Sequence, residues 1–301
     1  MVELPRSTLI SSLFPRLPRD SHLTYRLALG LGAAAILLLA ALRLFPVALI
    51  AAALLLPLLV ALYLVDVNAY EDEPVWALSL TMGWGAAAGV GFGLLALAVA
   101  PSPASVIVHG TSQYVVLQGL VLPFCGFVLL LLGPLVLLRY HRFNAVLDGV
   151  TFGATSAAAF GGALAITYSA HLIGAGLRPG GAVLPWIWRL LSLGLAMPIV
   201  TMGAAAAACA ALWLRYRAPA RDAQALGALG HPVVALPLGG LLVAGAAVGE
   251  TFLSPGGWLV WLIAFDVVAI SLLRRTIHVG LVEEAADAEA QSLGTAPEAE
   301  S

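Results

Sequence analysis

Separated by short polar segments, long apolar stretches run through this chain at roughly 24–44, 46–65, 75–100, 115–138, 146–174, 185–214, 232–250 and 257–273. About 20 apolar residues rising 1.5 Å each cross the ~30 Å hydrocarbon core of a bilayer. The pattern therefore predicts an all-α, polytopic transmembrane helical bundle of about eight spans. The fifth stretch carries a second pattern: Gly149, Gly153, Ala157, Gly161, Ala165 and Ser169 recur every fourth residue. On a helix of ~3.6 residues per turn these form one slowly drifting stripe of small side chains, against which another helix can press its backbone. The third stretch has Gly85, Gly89 and Gly93 at the same spacing and is the natural partner. The fifth span is expected at the centre of the bundle.

The flanks set the domain organisation: an N-terminal arm over 1–22, a membrane bundle over 23–275 and a tail over 276–301. The arm is polar, broken by Pro5, Pro15 and Pro18, and leads into the first span as a signal anchor rather than a cleaved leader. The tail from Glu283 is acidic and rich in small residues, and reads as disordered. With the N-terminus inside, Arg6, Arg16, Arg19, Arg26, Arg139, Arg142, Arg215, Arg217, Arg221, Arg274 and Arg275 fall on the cytoplasmic side, against Arg43, Arg178 and Arg189 opposite. That bias predicts a multi-pass protein of the plasma membrane with both termini cytoplasmic. Trp76, Trp186, Trp188, Trp213 and Trp258 fall near span ends, where interfacial anchors sit.

Composition agrees: of 301 residues, 61% are hydrophobic and 10% charged, with mean hydropathy +0.99. A soluble domain keeps about a quarter of its residues charged. The net charge of -2 stems largely from the tail, so the expected surroundings are the lipid bilayer and another membrane protein or transmembrane segment, not nucleic acid. Cys125 and Cys209 lie in apolar runs without C-x-x-C spacing and read as buried small hydrophobes.

Ionisable residues within spans are costly and are functional candidates by default. Here they are few. Asp266 is central in the last span, and its alternatives are a proton, ion or metal site or a neutral carboxyl bonded to a neighbouring hydroxyl. His171, Arg189 and Glu250 fall toward the non-cytoplasmic ends of their spans, where an ion-pair cluster and simple interfacial solvation explain them equally. His231 precedes Pro232 at a helix start, and Asp148 is placed to cap the fifth helix. A catalytic zinc needs about three protein ligands. Asp266, His171 and His231 are expected at different depths, so no metal and no cofactor is expected. Phosphate-loop, nucleophile-elbow and H-E-x-x-H motifs do not occur.

Two segments nevertheless resemble a family. Leu62 to Gly85, LYLVDVNAYEDEPVWALSLTMGWG, is similar to the entry of the PrsW-type intramembrane metalloproteases. There an acidic, Tyr-containing loop ends in Glu-Pro-Trp-like residues before a Gly-rich span. Asp148 to Gly153 followed by Phe160 resembles that family's run into its F-x-x-x-E motif. The resemblance covers roughly residues 40–275 and implies a protease fold that uses glutamates for metal and water. Aligned on Pro123, the family's Glu-Glu-x-x-Lys falls on Gly126, Phe127 and Leu130. Aligned on Phe160, its third Glu falls on Leu164 and the following Asn on Ala165. His231 matches a late family His, but its acidic companion is Ala235. The expectation is thus a degenerate, non-catalytic member that acts as a scaffold or membrane-protein-binding partner. The alternatives are an intramembrane metallopeptidase with a zinc site rebuilt from Asp266, His171 and His231, and a small transporter or channel using Asp266 with Glu250 and Arg189.

Overall fold

The computed structural model describes residues 21–66, 75–99, 115–174, 183–217 and 226–294, with side chains omitted at 21–25, 63–66, 171–174 and 283–294. All regular structure among them is helical: α1 (Ser21–Ala41), α2 (Phe45–Asp66), α3 (Val75–Val99), α4 (Leu122–Leu137), α5 (Val146–Gly174), α6 (Val183–Leu191), α7 (Met197–Tyr216), α8 (Pro232–Val248) and α9 (Pro255–Gly294). A π-helical stretch, Val115–Val121, leads into α4, and a second, Ser192–Ala196, joins α6 to α7. Seven of the resulting segments are long and apolar enough to cross a membrane, and α1 adds a shorter apolar stretch, Arg26–Ala41. The protein is a polytopic, multi-pass helical bundle.

The fifth span is the hub. It is 72% buried, against 17% for Pro255–Val282, and packs most extensively on α3, α7 and α2. Each neighbour approaches over residues without bulk, and different faces of α5 serve different helices. Toward α7, Gly149 lies under the Trp213 ring, Gly153 under the Ala205 carbonyl and Cys209, and Gly161 against Pro198. Toward α3, the glycines belong to the partner: Gly85 meets the Ser156 backbone, Gly89 the Phe160 carbonyl, and Gly93 Thr167 and Leu164. Gly162 admits Ala53 and Pro57 of α2. The α3 glycines therefore pack on α5, but not on the expected stripe. That stripe faces α7, because α5 is small nearly all round, with Ala157, Ala158 and Ala159 all buried.

Polar bonds to backbone carbonyls fasten the bundle. Ser156 Oγ donates to Leu130 O (2.8 Å), Trp84 Nε1 to Leu129 O (3.0 Å), and Trp261 Nε1 to Gly245 O (2.8 Å). In lipid such bonds and close van der Waals contact carry the association that water exclusion supplies elsewhere. At the start of α5 the Ala145 N–H donates to Asp148 Oδ2 (3.1 Å), so Asp148 closes the helix start from its third position.

Four expectations are corrected. Trp213 and Trp258 are core residues, 0% and 4% exposed: the first fills the space over Gly149, and the second donates Nε1 to Ala246 O (3.1 Å). Cys125 is exposed, while Cys209 is buried. Helix α9 passes the drawn boundary at 275 and continues to Gly294, because Ala, Glu, Gln and Leu in EEAADAEAQSL are strong helix formers despite their acidity. Residues 295–301, the arm over 1–20 and the acidic loop 67–74 lie outside the described residues.

Candidate functional site

The two π-helical stretches have a common cause in sequence. Each contains a glycine followed four residues later by proline: GLVLP at Gly119–Pro123 and GLAMP at Gly194–Pro198. Proline offers no N–H to the carbonyl four residues back, and its ring collides with that carbonyl. The chain widens its turn instead, and Met197 N–H reaches back five residues to Ser192 O. Glycine at the displaced position also admits a neighbour, with Val248 on Gly119 and Ala52 on Gly194. π-Turns are rare and concentrate at functional sites.

A cavity of about 110 Å³ lies between these widened turns, and about 800 Å³ is free of protein atoms when its open approach is included. Its walls come from α3, α4, α5, α7, α8 and α9. Phe92, Phe127, Leu130, Leu164, Met197 and Val243 make it apolar, while Gly126, Gly161 and Ala165 give it room. Polar groups on the lining are Gln118, Tyr168, Thr201 and Glu250, with Trp258 beside them. Gln118, Tyr168 and Glu250 lie near those ends of their helices that meet at one end of the bundle, where Gly119 touches Val248. The cavity thus grades from an apolar floor to a polar mouth. Thr201 is occupied internally, donating to Met197 O (2.8 Å).

The positions singled out by the expected resemblance converge here. Gly126, Phe127, Leu130, Leu164 and Ala165 all line this one cavity. Space that a side chain at 126 would need is filled by aromatic carbon. A Cβ there would meet Phe92 Cε1 at 3.1 Å and Phe160 Cζ at 3.3 Å, and those two rings pack 5.9 Å apart. The Phe127 ring lies over Gly239 of α8. No carboxylate stands at these positions, so the floor offers no group to take a proton from water.

The other candidates are dispersed. Glu250 is exposed on the cavity lining, and Arg189, half-buried on α6, is not among the residues that line it. His171, proposed to join them, has its side chain outside the described residues. His231 is exposed as the N-cap of α8, and Ala235 is buried. Asp266 is half-buried on α9, its Oδ1 enclosed without a hydrogen-bond partner. Among the described residues no three His, Cys, Asp or Glu side chains cluster at metal-binding range. Gln118, Tyr168 and the paired Gly-x-x-x-Pro turns were missed in the sequence; the repeated pentapeptide was their one legible signal.

No family model matches this chain, and neither a curated protein nor a solved structure is similar to it.

Proposed function

We propose that this protein is a non-catalytic, PrsW-like membrane protein whose former reaction chamber serves as a binding cavity for an apolar chain taken from the bilayer. The observation that carries this reading is the convergence of Gly126, Phe127, Leu130, Leu164 and Ala165 on one cavity floor without an acid or base. Size favours a chain over a transmembrane segment. The cavity proper is smaller than the ~150 Å³ apolar cavity known to accept benzene, whereas a helix is about 10–12 Å across. The glycine seams are also spent within the chain, on α2, α3 and α7, which leaves a protein partner only the outer surfaces. The arginine bias supports cytoplasmic termini, an orientation that turns the cavity mouth toward the opposite leaflet of the cell membrane.

The test is mass spectrometry of the full chain released from native membranes without detergent exchange. The wild type is expected to retain a lipid-sized adduct. Ala165→Leu, which fills the floor, should lose it while keeping its thermal unfolding temperature within a few degrees. An adduct retained in full by the filled variant would sink the reading.

A further inference from the structure

The charge on the cavity lining is of one sign. Among the described residues that border the cavity, Glu250 is the one carboxylate, and no Arg, Lys or His stands with it. It follows α8 in the 3-10 turn Gly249–Thr251 and is exposed, which puts it at the end of the span, while Phe92, Phe127, Leu164 and Met197 supply carbon to the walls. A site of this build takes the bulk of a ligand by apolar contact and selects it by its few polar groups. Thr201 is spent on Met197 O (2.8 Å), and Gln118 and Tyr168 are uncharged, so the carboxylate decides the sign of the head. A second feature favours the same sign. Trp258 borders the cavity and packs on Gly249, the residue before Glu250, where a Cβ would meet its Cδ1 at 3.0 Å. Its Nε1 is already bonded to Ala246 O (3.1 Å). With its N–H committed, this buried ring offers the cavity π surface, which attracts a cation and not an anion.

We propose that the cavity selects a single-chain amphiphile with a net positive ammonium head, the head against Glu250 and the Trp258 ring and part of the chain between Gly126, Leu164 and Met197. This assignment rests on the cavity reading given above and adds the head to the chain. An uncharged head gains nothing from the carboxylate, and an anionic head meets it as a like charge. The phosphate of a zwitterionic phospholipid finds no basic residue on the lining to receive it.

The test uses the full chain in nanodiscs of zwitterionic lipid and single-chain probes of equal length with a photoreactive diazirine at the chain end, headed by trimethylammonium, hydroxyl, sulfonate or phosphoethanolamine. Labelling is read by mass spectrometry on peptides carrying Leu164 or Met197, each probe relative to the hydroxyl probe. In the wild type the trimethylammonium probe should lead the hydroxyl probe about fivefold, the upper scale of one solvent-accessible ion pair. The phosphoethanolamine probe should stay near the hydroxyl probe and the sulfonate probe below it. Glu250→Gln should bring the trimethylammonium probe within about twofold of the hydroxyl probe, and Glu250→Lys should put the sulfonate probe first. A merely structural role for Glu250 would move all the probes together and leave their ratios unchanged, which overturns the head assignment. Equal labelling by all heads in the wild type, or a lead for phosphoethanolamine, overturns it too and leaves the chain-binding cavity standing. Labelling of the cavity peptides by no probe overturns both. The wild-type ratios decide the head assignment should neither variant fold.

Discussion

The two ends of this bundle are built from the same materials and reach opposite outcomes. At one end, glycine brings helices together and aromatics close what remains. Gly149 lies under Trp213, whose ring is 5.9 Å from Phe152; Phe152 meets Phe143 edge-on at 5.1 Å, and Phe143 continues to Tyr140 and Trp76. That end is sealed: Trp213, Phe152 and Phe143 are at most 1% exposed. At the other end, glycine is paired with a proline four residues on. The helices widen there instead of closing, and a cavity with a polar mouth opens between them. Small residues therefore do not by themselves decide whether a membrane bundle is tight or hollow; the prolines do.

Truncation should separate the ends most strongly. Trp213→Ala removes the side chain that fills the sealed end and should cost about 3–5 kcal/mol, the range for deleting a buried aromatic. Leu164→Ala trims a wall already bordering empty space and should cost about 2 kcal/mol or less. Reversible unfolding of both variants in the same detergent micelles reads the difference. Equal losses would mean that the cavity end is as tightly packed as the aromatic end.

The prolines offer a sharper test with a smaller effect on stability. Pro123→Ala and Pro198→Ala each restore an N–H and remove a ring collision, so each π-turn can relax to the ordinary α-helical spacing. Stability should change by about 1 kcal/mol or less, since a lost strain is exchanged for altered packing. Retention of the lipid-sized adduct should fall severalfold as the turns narrow. Unchanged adduct retention in both variants would detach the widened turns from the cavity.

How far the sequence carries this comparison depends on the scale of the feature. The bundle was legible because a span is a local property: twenty apolar residues in a row mean the same thing wherever neighbours lie. The close approach of α3 to α5 was legible from Gly85, Gly89 and Gly93, but the face that they meet was not. With Ala157, Ala158 and Ala159 in succession, α5 gives no single stripe a claim on one partner. Trp213 was misplaced for a related reason. A tryptophan near a span end fits an interfacial belt as well as a core, and only Gly149, 64 positions earlier, decides between them. The cavity was the least legible. Its walls come from six helices, and nothing local to Gly126, Phe127 or Leu164 announces that these positions meet. The helix from Glu283 to Gly294 shows the converse error, in which acidity was weighed above the helix preference of the same residues.

The smallest effect on the cavity is expected from the turn between α1 and α2, which tests whether the open end stores strain outside its prolines. Arg43 has φ of 60°, in the left-handed region where a side chain is disfavoured. The turn is otherwise well made: Leu44 N–H returns to Leu39 O (2.9 Å) and Arg43 N–H to Ala40 O (3.0 Å), the paired bonds that close many helices around a glycine. Just beyond it, Phe45 stacks on Trp186 of α6 at 5.7 Å, and Ala52 of α2 touches Gly194 in the second π-turn. Arg43→Gly relieves the left-handed backbone and should stabilise the protein by about 1 kcal/mol, read as a rise of a few degrees in the unfolding midpoint. Retention of the lipid-sized adduct should stay as in the wild type, because the turn keeps its shape. A gain in stability with altered adduct retention would mean instead that strain at Arg43 helps to hold α2, and through Ala52 the widened turn, in the open arrangement.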